Sequence, residues 1–174
     1  MTPEFPRPER VDTIGPRERE IAVEANADER ERLARRFGLL SLDRLEAAFR
    51  VRREQAGIKV SGRVLADLVQ PCSASGEPVP AHIDEAVDLL FVDPGSAATD
   101  EVELTADALD TIEIENGVVD LGEAAAETVA LALDPFPRAP NAAEVLRNAG
   151  VLSEEEAGPM SGLAAALKDK LGGR

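Results

Sequence analysis

From Leu45 to Leu68 apolar and polar residues alternate with a period of two, and this stretch limits the fold more than any other. Leu45, Ala47, Phe49 and Val51 share one parity. After Gln55-Ala56-Gly57 the alternation resumes at Ile58, Val60, Val64, Ala66 and Leu68. A period of two places all the apolar side chains of a strand on one face, so the stretch predicts a hairpin with strands at 44–54 and 58–70. A turn at Ala56-Gly57 sets Val51 opposite Gly62, Phe49 opposite Val64 and Leu45 opposite Leu68. A slip of one residue would bury charge, which fixes the parity. Gly62, inside the second strand, predicts a bulge. The competing reading of 42–49 is helix, because Leu42, Leu45 and Phe49 also recur at helical spacing among good helix formers.

The remaining segments extend this to an α+β fold: an antiparallel sheet of meanders or hairpins packed with two main helices. Ile21, Val23 and Ala25 predict a strand over 19–25. Asn26 or Asp28 can cap a helix over 27–37, with Leu33, Ala34 and Phe37 as its stripe and Gly38 as its stop. Ile83, Val87, Leu89 and Phe91 form one face of a third strand at 82–92, with His82, Asp84 and Asp88 on the other. Ile112 and Ile114 open a short strand that ends at the turn signal Asn116-Gly117. Asp120 and Glu123 resemble a capping box for a helix over 121–133, which Pro135 and Pro137 end. Pro3, Pro6 and Pro8 predict an extended, loosely held start. The acidic stretch 93–110 reads as a mobile loop. The domain is expected to span 1–140, followed by a flexible tail at 141–174 with short helices at 142–149 and 161–171. Sheet order and oligomeric state are left open.

Charge narrows the function. The 174 residues carry a net −15. Residues 66–136 hold 17 acids and no Lys or Arg, whereas residues 1–65 hold 14 bases and 12 acids. Such asymmetry suits a basic partner, although acidic surfaces also simply aid solubility. Without Trp or Tyr, the chain lacks platforms for stacking single strands. A single Cys, Cys72, excludes an internal disulfide framework and fits a reducing compartment. No apolar run approaches a membrane span and no secretory leader is visible, so a soluble cytoplasmic protein is expected. Phosphate-loop, dinucleotide, zinc-protease and nucleophile-elbow motifs are absent. His82 reads as a solvated residue, and nothing pairs it with Cys72 as a nucleophile. No enzyme and no cofactor are expected.

Three segments together are similar to one family. VSGRVLADLVQPCSASGEPV (60–79) resembles its block of strand, Cys, short loop and Glu/Lys-Pro. GVVDLGEAAAETVALALDPFPRAP (117–140) resembles a second block, in which Asp-Leu opens an acidic helix running into a proline-rich exit. GPMSGLAAALKDKL (158–171) is similar to its C-terminal tail. The family is YceD, the large ribosomal RNA subunit accumulation proteins. The resemblance implies a non-enzymatic role in synthesis, processing or stability of bacterial-type 23S rRNA. Many relatives carry Cys-x-x-Cys where this chain has Cys72-Ser73-Ala74-Ser75. Some have further His or Cys where it has Arg138-Ala139-Pro140-Asn141. A tetrahedral zinc site needs about four N or S ligands, so any such metal site is expected to be lost here.

The implied partner is large-subunit rRNA or the pre-ribosome. The candidate nucleic-acid contacts are Arg50, Arg52, Lys59 and Arg63 on the exposed hairpin face, where the expected register puts Arg50 opposite Arg63. Arg30, Arg32, Arg35 and Arg36 form a second basic cluster on the first helix, of which Arg32, Arg35 and Arg36 are candidate contacts too. The competing reading is internal neutralisation, Asp84 and Asp88 answering the hairpin cations and Glu29 and Glu31 those of the helix. The alternative function is an acidic module that holds a basic ribosomal protein without RNA contact, with Asp84, Asp88, Glu123 and Glu127 as candidate partner-binding residues.

Overall fold

A computed structural model describes residues 3–95 and 110–151. Their order is β1 (Pro8–Arg10), a single 3-10 turn (Val11–Thr13), β2 (Arg19–Glu24), α1 (Ala27–Phe37), β3 (Ser41–Arg53), β4 (Ile58–Pro71), β5 (Pro78–Val92), β6 (Asp110–Glu113), β7 (Val118–Asp120), α2 (Leu121–Ala132) and α3 (Ala142–Asn148). The fold is α+β. Five strands form a mostly antiparallel sheet in the order β2-β3-β4-β5-β6, and β1 pairs with β7 in a small second sheet. The chain divides into two compact units: residues 3–70, 80–95 and 110–135 form one, and residues 71–79 and 136–151 the other. Most of the expected loop at 93–110 and the expected helix at 161–171 lie outside the described residues.

In the first unit the helices begin and end where local chemistry dictates. The Asn26 side chain accepts the Glu29 amide while the Glu29 carboxylate accepts the Asn26 amide, closing a capping box on α1. Gly38 ends that helix at φ 67°, a left-handed conformation that glycine adopts without steric cost. Leu33 and Ala34 bury its apolar stripe. Asp120 caps α2 by accepting the amides of Gly122 and Glu123. The Glu123 carboxylate turns instead to Arg36. One face of the five-stranded sheet buries Leu45, Phe49, Val51, Val60, Val64 and Leu68 in the core formed with Leu33 of α1 and Leu121, Ala125 and Val129 of α2.

The β3–β4 hairpin forms, with the expected parity but a register two residues away. Phe49 faces Gly62, Val51 faces Val60 and Leu45 faces Ala66. Glu54 and Gly57 exchange backbone hydrogen bonds, so Gln55-Ala56 is the loop rather than Ala56-Gly57. Gly57 serves a close approach instead: a Cβ there would sit 2.2 Å from the Phe91 carbonyl oxygen. Gly62 likewise marks no bulge. A Cβ at that position would lie 2.1 Å from the Ala48 carbonyl oxygen, and the register shift falls between Leu42 and Arg44.

Two further expectations are corrected. β6 runs parallel to β5, pairing Leu89–Val92 with Asp110–Glu113, so the sheet is not a pure meander. Parallel neighbours need a crossover of about a dozen residues or more, and the chain between Val92 and Asp110 is long enough. The N-terminal segment is not loosely held. Phe5 is fully buried and β1 lies antiparallel to β7. The Arg7 amide donates to Asp120 Oδ1 at 2.8 Å, and the Leu121 amide donates to the Arg7 carbonyl at 3.1 Å. Prolines remove donors but do not prevent extended pairing at an edge, and the burial of Phe5 together with the β1–β7 pairing and the Arg7 hydrogen bonds offsets the entropy of ordering the segment.

In the second unit Cys72, Ala139 and Ala142 form a small buried cluster with Ala74 and Val79 against it. The amide and hydroxyl of Ser73 both donate to the Pro137 carbonyl at 2.8 Å. Ala142–Asn148 form the first of the two expected tail helices.

Candidate functional site

The outer face of the sheet carries the hairpin cations, and most meet carboxylates of the same unit. Arg63 bonds Asp84 and holds its carboxyl below the usual carboxylate range. Lys59 Nζ lies 3.4 Å from Asp88. Arg52 bonds Glu54 at 2.8 Å, and Arg44 meets both Glu46 and Asp67. Asp67 also has His82 Nδ1 at 2.6 Å. The pairing sets Arg50 opposite Ser61 and Arg63 opposite Ala48, so Arg50 and Arg63 do not face one another. Arg52 and Lys59 do face one another, a destabilising juxtaposition of like charges that Glu54 and Asp88 relieve. Arg50 stands opposite Glu20 on its other side, beside a shallow depression lined by Ala22, Ala48 and Gly62.

On α1, Arg36 bonds Glu4 and the Glu123 carboxylate, bridging the N-terminal segment to α2 within the first unit. Arg35 lies 3.7 Å from Glu31, one turn away. Arg32 donates to the Glu4 carbonyl at 3.0 Å. The Arg7–Glu29 pair was not visible in the sequence. Arg7 Nη1 and Nη2 grip the two Glu29 oxygens at 2.9 and 3.0 Å, lowering the carboxyl below its ordinary range. Its signal is the capping-box position of Glu29, which buries a carboxylate that needs a cation.

Among the candidate acids, Asp84, Asp88 and Glu123 hold the cations just named. Glu127 holds none among the described residues, and burial together with Glu123 pushes its carboxyl above the ordinary range. It lines an open groove between β5, β6 and α2, along with Glu85, Val87, Leu89 and Ile112. Leu131, 86% exposed, completes that groove. Neither Glu85 nor Leu131 is expected from the sequence to share a surface with Glu127. Each nevertheless breaks a pattern: Glu85 sits on the apolar parity of its strand, and Leu131 falls outside the Leu121, Ala125, Val129 stripe.

In the second unit, the Cys72 sulfur accepts the Ala139 amide at 3.2 Å and the Ala74 amide at 3.4 Å. The Ala139 amide, then the Ser75 hydroxyl, bring the thiol down to about 6. Small apolar side chains, Ala139 and Ala142, pack around this sulfur. One thiolate ringed by amides and methyl groups does not fit a tetrahedral zinc centre. Among the described residues no group of three or more His, Cys, Asp or Glu side chains could hold a metal ion, and no helix is long and apolar enough to cross a membrane.

No curated protein and no solved structure matches the chain. Residues 60–168 match the family described as large ribosomal RNA subunit accumulation protein YceD. The match starts at Val60, within β4, and takes in β5, β6, β7, α2 and α3. It covers more than half of the sequence, and the description ties the family to accumulation of large-subunit ribosomal RNA. The chain belongs to the YceD family.

Proposed function

We propose that this protein supports accumulation of 23S ribosomal RNA in the cytoplasm as a non-enzymatic factor, and that it acts by holding a basic protein of the assembling large subunit. The observation that carries this reading is the distribution of ion pairs. Arg36, Arg44, Arg52, Lys59 and Arg63 are engaged by the protein's own carboxylates. Phosphate binding depends on cations free to release counterions, and engaged cations supply less of that. Among the described residues, the acids left without an ion pair include Glu85, Asp110 and Glu127 beside α2. Free ribosomal proteins are strongly basic, so an acidic surface is a physically sensible holder.

RNA contact through Arg50 is the second reading. It is favoured by that residue's exposed place beside a shallow depression, with no acid bonded to it among the described residues. A salt titration of rRNA-fragment binding separates the two readings. Holding a protein predicts weak binding with a shallow dependence on salt and no effect of Arg50→Glu. A steep slope that Arg50→Glu flattens would overturn it. Recovery of 23S rRNA levels on re-expression after depletion tests the role itself.

A further inference from the structure

Within the first unit, β5, β6 and α2 enclose an open groove with an apolar floor and an acidic rim. Val87 and Leu89 of β5, Ile112 of β6 and Leu131 of α2 supply the floor. Glu85, Asp110 and Glu127 supply the rim, and Asp88, the fourth acid that lines the groove, is held by Lys59. Leu131 is 86% exposed, an unusual position for a leucine on a helix whose other large residues are buried. The other nearby cations are committed elsewhere: Arg63 to Asp84 and Arg36 to Glu123. None of the three rim acids has an ion-pair partner among the described residues. Residues 66–136, which build the whole groove, contain no Lys or Arg.

We propose that this groove is the docking site for a basic amphipathic segment of another protein, its apolar side chains against Val87, Leu89, Ile112 and Leu131 and its Lys or Arg side chains against Glu85, Asp110 and Glu127. The proposal rests on the reading of the protein as a holder of a basic partner and names the surface that does the holding. Charge decides the occupant. An acidic or neutral segment would leave three carboxylates facing apolar surface, and like-charge juxtaposition disfavours wrong partners. A small apolar molecule would fill the floor but leave the rim unanswered. Opposite charge on the rim speeds encounter, and apolar contact below it retains the partner.

The test uses the full chain and a short fluorescein-labelled peptide of alternating Lys and Val, with a matched Glu-Val peptide as control. Fluorescence anisotropy should show saturable binding of the Lys peptide alone. Amide shifts should cluster at 85–89 and 127–132. Glu85→Lys with Glu127→Lys should weaken binding about tenfold or more, the scale of about 1.4 kcal/mol. Leu131→Glu, at an exposed position, should weaken it similarly without changing the circular dichroism. Absent saturation, equal binding of the Glu peptide, or undiminished binding by the charge-reversed variant overturns the proposal. Groove amide shifts in the peptide-free chain that respond to Val102→Ser with Leu104→Ser would assign the groove to the chain's own 96–109 segment and overturn it too. If depletion lowers 23S rRNA but no peptide binds, only the groove assignment falls. If peptide binds but depletion leaves rRNA unchanged, only the functional reading falls.

Discussion

Replacing Gly122 by alanine sets helix propensity against packing, and the structure says packing wins. Gly122 is the second residue of α2, where alanine alone would gain up to about 1 kcal/mol. A Cβ at this position would lie 1.8 Å from the Phe5 carbonyl oxygen and 3.1 Å from the Arg7 nitrogen. Both are backbone atoms and cannot rotate away. A tolerable C···O contact is about 3.3 Å or more, so the N-terminal segment must move by roughly 1.5 Å. That displacement strains the Arg7-to-Asp120 and Leu121-to-Arg7 hydrogen bonds, each contributing about 0.5–1.5 kcal/mol. It also disturbs the burial of Phe5, and overpacking of this kind costs about 1–3 kcal/mol. Less the propensity gain, the net loss is about 1–5 kcal/mol, or roughly 2–20 °C in Tm for a chain of this size. With no Trp or Tyr, unfolding is best followed by far-ultraviolet circular dichroism. Gly15→Ala is the control, since a Cβ there would meet nothing within 4 Å, and it should change stability by less than about 1 kcal/mol. A Gly122→Ala protein that melts at or above the parent would refute the docking of residues 5–10 against α2.

Three other outcomes are expected. Glu29→Gln should cost about 1–3 kcal/mol by leaving Arg7 with a neutral partner. Because Arg7 holds the Glu29 carboxyl below its ordinary range in the fold, the stabilisation is complete above the ordinary glutamate value and disappears as pH falls through the lowered one. The variant should therefore lose that part of the acid sensitivity, and an unchanged stability–pH curve would count against the pair. A double-mutant cycle on Arg63 and Asp84 should give a coupling below about 1 kcal/mol, as for other solvent-exposed pairs, and a larger coupling would show the pair to be shielded from water. Purified protein should contain no stoichiometric zinc, and a chelator should leave Tm unchanged; equimolar zinc on elemental analysis would contradict the amide-ringed geometry of Cys72.

Where local chemistry decides an element, the sequence was sufficient. Asn26, one of the two expected caps, and Gly38 bracket α1 at the expected residues, and Asp120 starts α2. Alternation overrides the helical spacing of Leu42, Leu45 and Phe49, because it continues through both arms of the hairpin and buries one whole face. What escaped was long-range. β7 is three residues long, too short to show a period, and it exists because β1 pairs with it. The burial of Phe5 depends on Gly122, more than a hundred residues later. No property of either segment alone signals that contact.

The candidate site was less legible than the core, and the hairpin shows why. Alternation constrains a strand pair only modulo two. Moving the loop by one residue, from Ala56-Gly57 to Gln55-Ala56, shifts the register by two and leaves every apolar side chain on the same face. The core is therefore insensitive to the error, and Leu45, Phe49, Val51, Val60 and Val64 are buried as expected. Charges respond to register itself. The two-residue shift separates Arg50 from Arg63, sets Arg52 against Lys59 and leaves Arg50 between Glu20 and Ser61. Gly57 reads in the sequence as a turn glycine, whereas its lack of a side chain accommodates the Phe91 carbonyl from a strand over thirty residues away. A glycine answering a distant backbone and one answering a local turn are identical in sequence. Any surface read from charge order along the strands inherits that ambiguity, whereas the α2 groove inherits less of it: the residues that line it contain no Lys or Arg, and register decides only which outside cation reaches it, as Lys59 reaches Asp88.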